Sequence, residues 1–432
     1  MRIAFTTIGC KVNLYESEAL KSLFSARNHA IVADDEFADV YVVNSCAVTV
    51  TSAKKSRQAV RKVLRRNPEA VVAVIGCYSQ LEKEVFEAIT GVDIIMGTVN
   101  RTRLIDHVEK ITKERERITD IEDVTRQKTF DRLGVTSFME RTRAFLKIQD
   151  GCDNFCSFCI IPFARGRIRS RPEEEIVLEA KRLTENGYKE IVLTGIHTGA
   201  YGRDREGVSL PELIERLVRL PLLERIRISS LEIAEIDDRL LFLLRHEAKL
   251  APHLHIPLQH GADSVLKRMN RRYDVATFKH MVEKVRAALP TVAITTDVIA
   301  GYPGETEAEF RQMRATIEEI GFSELHVFPF SPRPLTKAAK AKGKVADEVK
   351  KARVKELIKL NEELAKAYRE RLLKEKKELK LLLETCDGAT CTGHTGEYVR
   401  VRIPSQKAEV NTCLSIRLTA AGYPFAEGEI IP

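Results

Sequence analysis

The sequence predicts an α/β protein in three parts: an N-terminal parallel-sheet layer, a central partial (β/α)6 barrel and a small antiparallel β-barrel at the C-terminus. Three observations predict it. Short apolar runs alternate with helical stretches over residues 1–112. A second, longer alternation follows over residues 138–368. Residues 371–432 then change character, to strand-like runs broken by Gly, Pro and Asn.

In the first part RIAFTTIG, DVYVVNS, AVVAVIG and VDIIMG read as buried parallel strands, with helices starting near Asn13, Thr51, Gln80 and Asn100. A charged stretch, residues 113–132, reads as a connector. In the second part AFLKIQ, EIVLTG, RIRISS, HLHIPL, VAITTDVIAG and ELHVFPF are six strand candidates. The helices between them include 172–186, 274–289 and 305–320. Six βα units joined by right-handed crossovers make a barrel open at one side. A Lys- and Glu-dense helix, 347–377, reads as a solvated amphipathic strut. LKLLLET, GEYVRVRIP and TCLSIRLTAA are the strands of the last part, a small barrel of the kind used for oligonucleotides.

The chain has 432 residues, 44% of them hydrophobic, enough for a sizeable core and against bulk disorder. Lys plus Arg outnumber Asp plus Glu by 70 to 62, a formal charge of +8 that suits a nucleic-acid partner without requiring one. MRIAFTTIGC has no basic segment followed by an apolar core, and no apolar run is long enough to span a bilayer. The expected location is cytoplasmic. In that reducing compartment nine cysteines, an odd count, argue for metal or redox chemistry over disulfides.

Cys152, Cys156 and Cys159 carry the strongest signal, in KIQDGCDNFCSFCIIPFARG. The spacing is C-x3-C-x2-C, with Phe158 before the last cysteine. Three thiolates so close in sequence suit a cubane iron–sulfur cluster with one iron left open, the mark of a catalytic rather than a closed structural site. Cys10, Cys46 and Cys77 are far apart in sequence, yet each follows a predicted strand (FTTIGC, VVNSC, AVIGC). Parallel strands end on one sheet edge, where ligand sites form, so three loops can bring three thiolates together. One such cysteine would read as a small core residue; three in the same slot favour a second cluster. Cys386, Cys391 and Cys413 match no metal spacing.

These residues resemble the radical S-adenosylmethionine (SAM) methylthiotransferases. The C-x3-C-x2-C run resembles the signature of the radical SAM superfamily. TTIGCKVNLYES, VVNSCAVT and GCYSQ resemble the methylthiotransferase N-terminal domain. HLHIPLQHGADSVLKRMNRRY and TDVIAGYPGETEAEF resemble the family's barrel motifs, and the last segment is similar to a TRAM domain. GCKVN followed by Glu16 looks most like the branch acting on threonylcarbamoyladenosine in tRNA. The chain departs from the pattern at Phe163 and Ala164, where Tyr and Thr are common, and at Leu335, where a Gly often follows Arg-x-Pro.

The resemblance implies two [4Fe–4S] clusters, one on Cys152, Cys156 and Cys159 with SAM on its open iron, the other on Cys10, Cys46 and Cys77. It implies radical chemistry on tRNA bearing threonylcarbamoyladenosine and a low-potential electron donor such as flavodoxin or ferredoxin. A monomer is expected. Candidate SAM contacts are Phe158, Thr194 and Gly195, Glu232, Gln259, and Gly301 with Gly304 of GYPGE. His255 reads as a hydrogen-bonded core residue. Candidate RNA contacts are Lys54, Arg57, Arg61 and Arg65 on a basic helix, and Arg165, Arg167, Arg169 and Arg171, which an extended segment would aim to one side. Each patch alone is a solvated face; flanking two cluster loops, they favour RNA. Tyr398, near Arg400 and Arg402, is a base-stacking candidate. Competing readings keep the chemistry but act on a ribosomal-protein aspartate, make the chain a noncatalytic iron–sulfur RNA-binding protein, or put zinc in place of iron.

Overall fold

The computed structural model describes residues 1–114, 116–135, 138, 142–405 and 409–431. Its first six strands are β1 (Arg2–Thr7), β2 (Ala30–Val32), β3 (Val40–Ser45), β4 (Val71–Gly76), β5 (Ile94–Met96) and β6 (Ile118–Asp120). All pair in parallel, in the order β2-β1-β3-β4-β5-β6. β3 and β4 are apolar almost throughout because helices cover both faces of the sheet. The four predicted strands are β1, β3, β4 and β5. The connector read over 113–132 is more than a linker, because β6 lies within it as an edge strand; its residue 115 lies outside the described residues.

All six predicted barrel strands form: Arg143–Lys147, Glu190–Thr194, Arg225–Ile228, His253–His255, Ala293–Ala300 and Glu324–Pro329. The first three pair in parallel, as do the last three. Single bridges, Ile226 to Leu250 and Ser230 to His255, join the two halves. The core is continuous across both parts: Ile3, Leu20 and Ile94 of the first sheet share one cluster with Leu146, Ile191 and Leu254 of the barrel.

The helix Asp347–Lys374 is more than a solvated strut. It packs Leu357 and Leu360 into that core and Tyr368 and Leu372 into the core of the last part. There five strands close a small barrel: Leu379–Cys386, Thr390–Thr395, Arg400–Pro404, Cys413–Ala420 and Ala426–Ile430. Cys386 and Cys391 face each other across its first hairpin and are joined as a disulfide, so these two of the nine cysteines depart from the thiol-only expectation. Among the described residues no helix is long and apolar enough to cross a membrane.

Candidate active site: two thiol triads and adjoining cavities

Cys10, Cys46 and Cys77 follow β1, β3 and β4, which are neighbours in the sheet. The register aligns their ends: Thr7 pairs with Asn44, and Asn44 with Ile75. Asn13 ties the loops together, its side-chain amide donating to the Ile8 carbonyl at 2.9 Å and the Ser45 carbonyl at 3.2 Å. Gly9, at φ +125°, lets the Cys10 loop press on Cys46; a Cβ there would stand 3.0 Å from the Cys46 Cβ. Cys46 and Cys77 are buried, and Cys10 is exposed. Burial pushes the Cys77 thiol up to about 12, against the pull of Arg165, whose Nε donates to Cys77 Sγ at 3.2 Å. A metal arriving there must displace the thiol proton.

The second triad lies on the loop between Asp150 and the helix Ile161–Arg165. The Cys159 amide donates to the Cys156 carbonyl at 2.9 Å, and the Cys152 amide to the Gly166 carbonyl at 3.0 Å. His197 Nδ1 stands 3.6 Å from Cys152 Sγ, and Arg271 Nη1 donates to Cys156 Sγ at 3.3 Å. Such donors stabilise thiolate over thiol. The loop is buttressed from behind: Ser157 Oγ lies 2.8 Å from Tyr302 Oη, and the Ser157 amide donates to the Met269 carbonyl at 3.0 Å.

Neither triad brings its three sulfurs within 4.8 Å of one another, the spacing that would let them share one ion; His255, Asp297 and His326 form the one such group among the described residues. Three thiols on one short loop, with Arg271 and His197 at two of the sulfurs, suit a cubane cluster that leaves one iron open. The three sulfurs of the second triad line a cavity of about 240 Å³ with Phe158, His197 and Gln259. Cys10 lines a neighbouring cavity of about 390 Å³ with Thr194 and Gly195. Ser230 and Asp297 belong to both walls, so Cys10 of the first triad and all three cysteines of the second border adjoining cavities, with Cys46 and Cys77 buried behind Cys10.

Two family models match the chain: the radical SAM superfamily over residues 146–317 and uncharacterized protein family UPF0004 over 2–97. The threonylcarbamoyladenosine tRNA methylthiotransferase MtaB of Bacillus subtilis is 43% identical over 99% of this chain and 96% of its own length. The protein of that name from Aquifex aeolicus is 37% identical over 89% and 93%. The chain belongs to the radical SAM methylthiotransferases. Among solved structures, the radical SAM methyltransferase TsrM of Kitasatospora setae superposes with a TM-score of 0.57 at 14% identity, over 78% of this chain and 75% of that one, a likeness of fold.

This methylthiotransferase uses several of the predicted residues otherwise than expected. Arg165, Arg169 and Arg171 do not project toward solvent. Arg165 is 0% exposed. It donates to Glu16 at 2.8 Å, to Asp150 at 3.1 Å and to Asn13 Oδ1 at 2.8 Å. Arg169 donates to the carbonyls of Arg165 and Arg167, and Arg171 pairs with Glu179 at 2.6 Å. The segment turns at Gly166 (φ +72°) instead of running extended, and only Arg167 stays exposed. On the helix Val50–Arg66, Lys54, Arg61 and Arg65 are exposed, whereas Arg57 is held by the Tyr78 hydroxyl at 2.5 Å. Tyr398 is no free stacking platform. Its ring lies against His253 (4.9 Å between centroids), His394 (4.9 Å) and the Arg227 guanidinium (4.8 Å).

The SAM-contact candidates divide. Phe158, Thr194, Gly195, Glu232 and Gln259 line these cavities, and a Cβ on Gly195 would meet Gln149 Oε1 at 2.9 Å. Gly301 and Gly304 do not line them. Gly301 borders a separate cavity with Pro303 and Phe330, and its amide donates to the Glu305 carboxylate at 3.0 Å. Glu305 also pairs with Arg353 at 2.6 Å, so GYPGE folds as a buttress behind the cysteine loop. His255 is hydrogen-bonded as expected, to Thr295 Oγ1 at 2.9 Å.

Sequence reasoning missed His197, Arg271 and the buried Lys147. Lys147 Nζ reaches Glu16 at 2.7 Å and Asp150 at 2.6 Å. The sequence signal for His197 is its place just past a barrel strand end, in TGIHTG. Arg271 and Lys147 were missed because the partners that set their roles, Cys156 and Glu232 for Arg271 and Glu16 for Lys147, are distant in sequence.

Proposed function

We propose that this protein converts N6-threonylcarbamoyladenosine at tRNA position 37 to its 2-methylthio derivative, using two [4Fe–4S] clusters and two SAM per turnover. The observation that supports the reading is that Cys10 of the first triad and all three cysteines of the second line adjoining cavities with two wall residues in common. Cys152, Cys156 and Cys159 hold the cluster that meets SAM, and Cys10, Cys46 and Cys77 hold the second. When bound, these groups supply one-electron cleavage of SAM to a 5′-deoxyadenosyl radical, and the sulfur and methyl group to be inserted. The chain's own residues do the rest. Arg271, held by Glu232, and His197, held by Glu235 at 2.5 Å, fix the charge and orientation of the cysteine sulfurs they touch. Phe158, Thr194, Gly195 and Gln259 shape the space for SAM and keep bulk water out.

Further parts of the reading are residues 1–112, 138–368 and 371–432 as domains, a flavodoxin- or ferredoxin-type donor, and a cytoplasmic monomer. RNA approaches across Lys54, Arg61 and Arg65 of the basic helix and the terminal barrel. The test replaces Cys10, Cys46 and Cys77 together with alanine. Reductive 5′-deoxyadenosine formation is expected to survive while the methylthio mass gain of threonylcarbamoyladenosine tRNA disappears. Failure of the unaltered, reconstituted protein to produce that mass gain would end the tRNA reading.

A further inference from the structure

The cavity beside Cys10 has more cationic than anionic side chains on its wall. It carries two cations, Lys11 and Arg227, and three imidazoles, His253, His255 and His326, of which His253 is kept neutral by burial, against a single carboxylate, Asp297. Asp297 is already engaged, with His326 Nδ1 at 3.1 Å and His255 Nε2 at 3.3 Å. Arg227 is engaged too, by Glu190 at 2.8 Å and by the carbonyls of Gly396 and Thr395 at 2.9 and 3.0 Å. Lys11 differs from both. Its ammonium makes no hydrogen bond or ion pair with any described residue, although its side chain faces the cavity. It also opens the helix Lys11–Ala26, whose first N–H groups have no partner within the helix and add positive potential at the same wall. A cavity with one unpartnered cation and an already occupied carboxylate is built for an anion.

Cys10 and Lys11 are consecutive, and this decides which anion. In an adenine, C2 and the N6 substituent flank N1 on the same ring edge. A base that presents C2 to the wall at Cys10 therefore carries its N6 substituent past the neighbouring residue. Resting on the function proposed above, the geometry points to Lys11 as the specificity residue that receives the carboxylate of the N6-threonylcarbamoyl group. Lys11 is exposed to water in the free protein, so the discrimination arises on binding: a neutral N6 substituent would cover that ammonium without pairing it, which is how a polar site rejects the wrong substrate.

The test uses the full-length reconstituted protein and two anticodon stem-loop RNAs. One bears threonylcarbamoyladenosine, and the other the same nucleoside with its carboxylate methyl-esterified. The unaltered protein should prefer the acid over the ester by about tenfold to a hundredfold, in binding by fluorescence anisotropy and in kcat/KM. Lys11→Met should bring that ratio close to one by weakening the acid alone, and Lys11→Arg should keep most of it. Both RNAs meet the same preparation, so cluster content cancels from the ratio, and the binding ratio survives any loss of turnover. The assignment is overturned if Lys11→Met keeps the original ratio or weakens both RNAs equally, as a phosphate contact would. It is also overturned if the variant raises the SAM requirement equally with both, as a contact to the methionyl carboxylate would. An intact binding ratio with no methylthio product from the unaltered protein would sink the functional reading while supporting the Lys11 assignment.

Discussion

Arg165 shows how much one side chain does here. Four polar partners surround its guanidinium: Asn13 and Glu16 from the first helix, Asp150 from the start of the cysteine loop, and Cys77 Sγ. It therefore ties a cysteine of one triad to the loop that carries the other. Removing one partner from a buried charge network leaves the rest uncompensated, so Arg165→Ala should cost about 3–5 kcal/mol. Lysine should not restore it, because an ammonium lacks the planar fork that serves Glu16 and Asn13 together. Denaturant midpoints of both variants measure this. Glu16 gives a pH prediction. Burial alone would push its carboxyl up, but Arg101, Arg165 and Lys147 outweigh that and bring it down to about 2. A depressed carboxyl stabilises the fold above its unfolded value of about 4.3, and that share is lost as pH falls from there toward about 2. Thermal melts should show stability falling through that acid window, with a smaller acid-dependent loss in Glu16→Gln measured from its own neutral-pH value.

At the scale of elements, what could be read early was whatever announces itself locally. Asp274 marks the start of a helix, and its carboxylate accepts the Thr277 amide at 2.8 Å at the head of Val275–Ala288. Asp274→Ala should cost about 1 kcal/mol, measurable as faster hydrogen exchange in the first turn of that helix. β6 was missed because ITD is short and sits in a charged run, and its pairing with β5 is a long-range choice. Thr390–Thr395 was missed because TCTGHT lacks apolar alternation; closure of the barrel supplies its partners. Leu335 marks a local conflict. It stands exposed at φ +71°, in the left-handed region that glycine occupies without strain. Leu335→Gly should stabilise that loop by about 1 kcal/mol, read as a rise in Tm.

Across the whole molecule, buried ion networks hold the parts in register. Glu190, held down at about 2 by Arg227 and Arg225 against its own burial, lets both arginines reach the terminal barrel. Arg225 donates to the Lys380 carbonyl at 2.6 Å, and Arg227 to those of Gly396 and Thr395. Glu190→Gln should leave the two arginines uncompensated at a cost of about 3 kcal/mol and loosen the terminal barrel. Limited proteolysis should then cut ahead of residue 379 faster than in the unaltered chain; equal rates would contradict this.

By itself the sequence determined the α/β order, the six barrel strands and the two sets of cysteines, because these rest on periodicity and on residues placed just after strands. It could not assign the arginines. Arg165, Arg167, Arg169 and Arg171 read alike along the chain, yet one is exposed and three are buried beside acids, Arg165 beside Glu16, distant in sequence. Whether a charge meets solvent or a buried carboxylate depends on which segments the fold packs together, and only the tertiary structure holds that information. The same is true of the adjoining cavities, whose walls are drawn from strands far apart in the chain and brought together by the docking of the sheet edge on the barrel.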